Sequence, residues 1–218
     1  MDVVNLCGPN TDPFDSYGML FCRLALHLSE RGVHVNPQVF ERGNPLHDYQ
    51  TPELQAVLDR PIYPTLGGIV LGYPTNYPKL GAMVGSGPTV AVTMFESDCL
   101  PDGWAAALNT CRAVVVPSQW CARVFRAGGV TVPVHVVPLG VSEAYTYVER
   151  PKRKPFTFLC IADRWLRKGW DVLIPAFVEA FGRDNPDVRL VIKARAGAFK
   201  FDIMLTNIAV IRADYTEA

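Results

Sequence analysis

Arg164, Arg167 and Lys168 stand in the stretch ADRWLRKGWDVLI, between an apolar run and a helix-like pattern. Three cations beside a helix start oppose the helix dipole, which favours negative charge there. Either water screens them, as it does most surface charges, or a bound anion compensates them. Arg167 is read as the solvated one of the three. Glu96 is the next candidate: it follows an apolar run that ends at Phe95. A carboxylate there can accept a proton or hydrogen-bond a hydroxyl. The alternative is a solvated or capping residue at a loop start. A strand-end position favours the cleft, because α/β sheets bind ligands at the carboxyl ends of their strands. Gly18 has two readings, a tight turn before a helix or a close backbone approach to a ligand. Ser118 follows Pro117 and is most simply a helix N-cap. The same strand-end argument gives Ser118 a cleft role as its second reading.

Metal chemistry is not expected. His27, His34, His47 and His135 make no His-Glu-x-x-His spacing. Cys7, Cys22, Cys99, Cys111, Cys121 and Cys160 are dispersed, with no Cys-x-x-Cys pair. Four of them fall in apolar or helical patterns, which predicts buried reduced thiols and a reducing compartment.

The elements that would position these residues follow from hydrophobic periodicity. The chain has 218 residues, of which 49% are hydrophobic and 19% charged, enough apolar material for a sizeable core. Its formal net charge of +0 argues against an electrostatic nucleic-acid binder. The N-terminus MDVVNLCGPN lacks a basic stretch followed by a long apolar one. No apolar run approaches the ~20 residues of a membrane span. A cytoplasmic protein with no transmembrane segment is expected.

Short apolar runs alternate with helical patterns. Strands are predicted over 3–6, 33–39, 68–71, 90–95, 113–116 and 134–137, and helices over 16–31, 52–58, 104–110 and from Ser118 to about Ala127. Gly32 is a natural helix stop. This alternation predicts a parallel sheet covered on both faces. The run YTYVERPKRKP, residues 145–155, is polar, basic and carries two prolines, a linker signature. The pattern then restarts with a strand over 156–161, a helix over 168–181 kinked by Pro175, and strands over 188–194 and 208–211. Residues 156–218 would hold three strands and one helix, fewer than the ~100 residues of a typical domain. Such a unit leaves a sheet edge uncovered, through which the chain could self-associate or pair with a complementing chain.

Two stretches carry a family resemblance: MFESDCLPDGWAAALNTCRAVVVPSQWCARVFRAGGVTVPVHVVPLGV, residues 94–141, and residues 156–193, which end DVRLVIK. Together they resemble the family 4 retaining glycosyltransferases of the GT-B fold. The most specific part is the run from VVVPSQW to VVPLGV. The resemblance implies an α/β chain of GT-B type, with an N-terminal Rossmann-like domain over 1–146 on the acceptor side. A linker over 147–155 would follow, then the first part of a second, nucleotide-sugar donor domain over 156–218. It implies transfer of a sugar from a nucleotide-diphosphate sugar to a sugar, lipid or protein acceptor, with retention and without a metal or other cofactor. Arg164 and Lys168 match by position the basic residues that hold the donor diphosphate in the family. Two phosphates would bring negative charge to a helix start whose N–H groups already point outward. Arg164 would grip oxygens in a fork and Lys168 would act as a mobile point charge. Both would stabilise charge on the departing nucleoside diphosphate. Glu96 stands where many relatives carry a His near the sugar, and Gly18 falls in a turn similar to the family's opening loop.

Arg164 lies one position later than the family's Gly-Arg pattern, after Ala162-Asp163. The glutamate pair that the family places late in the donor domain has no counterpart, since Glu217 is the last acidic residue. A truncated enzyme, inactive by itself, is therefore one expectation. A non-catalytic nucleotide- or sugar-binding module, or a half-enzyme completed by a partner chain, is the other.

Overall fold

A computed structural model describes residues 2–12, 15–39, 51–65, 67–77, 87–141, 145–149, 154–162, 168–194 and 205–212. The chain divides into two compact units, residues 1–142 and 143–218.

In the first unit the strands are Val3–Gly8 (β1), His34–Val39 (β2), Gly68–Leu71 (β3), Thr89–Val92 (β4), Ala113–Val116 (β5) and Val134–Val136 (β6). The helices are Ser16–Glu30 (α1), Pro52–Leu58 (α2), Trp104–Leu108 (α3) and Gln119–Ala127 (α4). All paired strands run parallel, in the order β2-β1-β3-β4-β5-β6. Adjacent residues of one strand serve opposite faces. Cys7 and Val70 pack with Trp104, Leu108 and Phe125 on one side. Leu6 and Leu71 pack with Tyr17, Phe21, Ala25 and Val57 on the other. The sheet is covered on both faces, which explains why its strands read as apolar runs rather than alternating ones. Pro37 is tolerated in β2 because β2 is an edge strand, paired only with β1. Buried Asn36 beside it is satisfied by its own contacts. Its amide donates to Asn5 Oδ1 at 3.0 Å and to the Tyr63 carbonyl at 2.7 Å, and its Oδ1 accepts from Tyr63 N at 3.0 Å.

The second unit holds Phe156–Ile161 (β7), Trp170–Phe181 (α5), Val188–Ala194 (β8) and Ile208–Arg212 (β9). The strands form a parallel sheet in the order β7-β8-β9. Helix α5 covers one face, where Phe177 packs with Leu190, Ile192, Ala194 and Ile208. On the opposite face the cross-strand rows are Leu159–Val191–Ala209 and Ile161–Lys193–Ile211. Leu159 there is 64% exposed, Ile161 72% and Ile211 40%.

Several boundaries differ from the periodicity. The strand expected over 90–95 ends at Val92, because the Met94 amide bonds the Tyr17 hydroxyl at 3.1 Å instead of a strand. The helix expected to reach Thr110 ends at Leu108. Asn109 is drawn off by the Gly129 carbonyl at 2.9 Å and the Thr131 amide at 2.8 Å. The helix expected from Lys168 starts at Trp170, since Gly169 takes a left-handed φ of 70°. Pro175 sits inside α5 without ending it. Gly32 stops α1 as read, at φ 80°.

Candidate functional site

The order β2-β1-β3 makes a switch point. The chain leaves β1 toward one side of the sheet and later returns to its other side as β3. In open α/β sheets this opens a crevice at the carboxyl ends of the two strands, the usual place for a ligand. Three segments of the first unit meet there: the turn into α1, the residues after β3 and the residues after β4.

At the turn into α1, Asp15 is the N-cap, and its carboxylate accepts from Tyr17 N at 3.0 Å and Gly18 N at 2.9 Å. The Asp15 carbonyl takes Met19 N at 2.9 Å. The helix start is therefore satisfied by the chain's own anion. A Cβ at Gly18 would run into the Asn10 side chain and the Asp12 backbone. The close backbone approach at Gly18 is thus made to the chain's own loop after β1.

Tyr17 is buried, and its hydroxyl lies 3.3 Å from Thr93 Oγ1, donates to the Met94 carbonyl at 3.3 Å and accepts from Met94 N. Burial pushes its pKa to about 12, with smaller upward contributions from Tyr73 and Glu96. Glu96 follows Met94, the residue bonded to the Tyr17 hydroxyl, by two positions. Tyr73 follows Gly72, whose φ of 125° suits glycine. Its ring meets Tyr17 edge-on at 5.2 Å and Trp104 at 5.7 Å, and Trp104 meets Phe95 at 4.7 Å. Tyr17 and Trp104 are buried, whereas Tyr73 is 44% exposed. Glu96 is exposed.

Ser118 caps α4, accepting from Cys121 N at 3.1 Å, as its first reading has it. It is half-buried just past the end of β5. Cys121 in turn reaches the Phe95 carbonyl with its thiol at 3.7 Å, tying this cap to the segment that carries Glu96.

In the second unit, Arg164 and Arg167 lie outside the described residues. Lys168 is exposed, next to Gly169, the N-cap of α5. The N-cap of α5 is a glycine with no side chain to offer, and Asp171 lies in its first turn, whereas Asp15, Thr51 and Ser118 cap α1, α2 and α4. Among the described residues no group of three or more His, Cys, Asp or Glu could hold a metal, and no helix is long and apolar enough to cross a membrane. The described cysteines are free thiols, and Cys7, Cys22, Cys111 and Cys121 are buried.

Sequence reasoning missed Tyr17, Tyr73 and Trp104. A Gly-Tyr pair directly after an apolar strand was the available signal for Tyr73; nothing local marked the convergence of the three rings. Together the two parallel sheets define an α/β protein with a Rossmann-like fold. No protein-family model matches the chain, and no curated protein matches it significantly.

Proposed function

We propose that the chain serves a retaining glycosyltransferase of GT-B type, which moves a sugar from a nucleotide-diphosphate sugar to an acceptor. One observation carries the reading: a single chain holds two separate parallel α/β units, with Glu96 and Ser118 following the ends of β4 and β5 in the first and Lys168 following β7 in the second. Charge supports it. The first unit holds eleven Asp and Glu against eight Lys and Arg, and the second ten against thirteen. The net +0 therefore divides into an acidic acceptor side and a basic donor side. In this reading Lys168, with Arg164, neutralises the donor diphosphate at the start of α5, whose N-cap is Gly169. Charge that builds on the leaving nucleoside diphosphate is stabilised there. Glu96 orients an acceptor or sugar hydroxyl from the first unit. Fold alone does not set chemistry, so the test is direct.

Thermal unfolding is measured with UDP, GDP and ADP, on the parent chain and on Lys168→Ala. A nucleotide at a hundred times its Kd adds about 2.7 kcal/mol of stability. The expected result is a rise with one nucleotide that shrinks at least tenfold in apparent affinity in the variant. No rise with any of the three sinks the donor reading.

A second reading, a half-enzyme completed by a partner chain or a second copy, is favoured by the exposed face of the second sheet at Leu159, Ile161 and Ile211. Sedimentation of the pure chain tests self-association. A monomer at every concentration leaves this reading only the complementing chain.

A further inference from the structure

The first unit's crevice carries a statement about its ligand that rests on observations independent of the donor side. Ligand-binding crevices of this sheet type ordinarily offer a helix start to a phosphate. This one does not. The Tyr17 and Gly18 amides are held by the Asp15 carboxylate, and Met19 N by the Asp15 carbonyl. A phosphate arriving there would have to displace the Asp15 carboxylate and would find the Asn10 side chain and the Asp12 backbone packed against Gly18. Glu96 adds a second carboxylate, two residues past Met94, whose carbonyl takes the Tyr17 hydroxyl. The unit as a whole has an acidic excess of three.

What the crevice offers instead is an aromatic surface. Tyr73 is held against two buried rings, Tyr17 at 5.2 Å and Trp104 at 5.7 Å, with 44% of its own surface open. A ring so held loses little conformational freedom on binding, which makes it an efficient contact for a ligand with an apolar face. The Glu96 carboxylate, on the segment after β4 that Tyr17 bonds, can accept hydrogen bonds from hydroxyl groups, and such bonds to a charged acceptor are the stronger kind. A hydroxyl-rich ring with an apolar C–H face matches both features. A phosphorylated one matches only the first and is repelled by the second.

We propose that the β1/β3 crevice binds an uncharged pyranose, its C–H face on the Tyr73 ring and its hydroxyls toward Glu96, and discriminates against phosphorylated ligands. The role of that sugar as acceptor rests on the transferase reading above; its binding does not.

The test uses the full chain and ligand-observed saturation-transfer NMR. The probes are methyl α-glucoside, methyl α-mannoside, maltose and cellobiose, each monosaccharide paired with its 6-phosphate. The variants are Tyr73→Leu, which keeps an apolar side chain against Tyr17 and Trp104, and Tyr73→Phe, which keeps the ring. Only the part of the affinity removed by Tyr73→Leu is assigned to this crevice, so that phosphate held elsewhere is not counted. Thermal midpoints establish that each variant is folded. The expected result is binding of at least one neutral sugar, at least fivefold weaker in Tyr73→Leu, near parental in Tyr73→Phe, and weaker still for the 6-phosphate. The proposal is overturned by no Tyr73-dependent binding of any neutral probe, or by a 6-phosphate that binds this crevice more tightly than its parent sugar. The nucleotide shift at Lys168 is read separately. Failure there with sugar binding retained removes the transferase reading and leaves the crevice; the reverse removes the crevice alone.

Discussion

Gly18 does its work by lacking a side chain. Its neighbours in the missing direction are the Asn10 side chain and the Asp12 backbone, and Asp12 is itself fixed by Asn10 Oδ1 at 2.8 Å. A backbone obstacle cannot swing away as a flexible side-chain tip can. Gly18→Ala is therefore expected to lose about 1–3 kcal/mol, the usual range for overpacking, and to weaken any ligand bound beside Tyr17. Urea unfolding reads the first effect; a change below about 0.5 kcal/mol, the scale of an ordinary surface substitution, would contradict the close approach. A sequence shows that a glycine precedes a helix, but not what stands beside it. The distance to Asn10 and Asp12 depends on how the loop after β1 folds back, and that is set by packing. Tyr17 is the same case. Its hydroxyl matters because it terminates β4 through Met94, 77 residues away, a pairing no local pattern encodes.

At the scale of elements, helix starts were the most legible feature. Ser118 was readable as an N-cap because a hydroxyl at that position accepts from the amide two or three residues on, whatever the rest of the fold does. Ser118→Ala is expected to cost about 1 kcal/mol, measured as a lowered urea midpoint with an unchanged slope. A neutral outcome would mean that solvent replaces the cap. Element ends were less legible, and the reasons differ by case. Strand β4 goes no further than the Thr93 amide, which still bonds Val115, because the Tyr17 side chain captures the Met94 amide, and α3 stops where the Asn109 side chain bonds away to the segment after α4. Lys168 was grouped with the helix, yet Gly169 intervenes in a left-handed conformation. That displaces the cation to the residue just before the N-cap, where its charge opposes the dipole less directly.

At the scale of the molecule, each unit owns its core: Val114 and Phe125 in the first, Leu190 and Ile192 in the second. Calorimetry is expected to resolve two transitions rather than one. Ile192→Ala should lower only the second unit's transition, by about 2–5 kcal/mol of that unit's stability. A single transition shifted by this variant would show that the units unfold together. The net charge of +0 divides between the units with opposite signs. A balanced total therefore excludes a uniformly basic surface but says nothing against a local anion site.

Some of this was determined by the sequence alone. Apolar runs flanked by helical periods require strands buried on both faces, so the α/β class and the parallel sheet followed from hydrophobic spacing. The polar, proline-bearing run over 145–155 marked a break in that spacing; the chain's division into two compact units falls before it, after residue 142. Four buried thiols were expected, and Cys7, Cys22, Cys111 and Cys121 are buried, whereas Cys160 in the apolar run FTFLCIA is only half-buried. Only the tertiary structure decided that Tyr17, Tyr73, Thr93 and Met94 converge at one strand end and that Asp15 occupies the helix start there. Spacing along a chain reports which face a residue takes. Which strand ends converge is decided by strand order, and strand order is chosen by long-range packing among elements whose local patterns are nearly interchangeable.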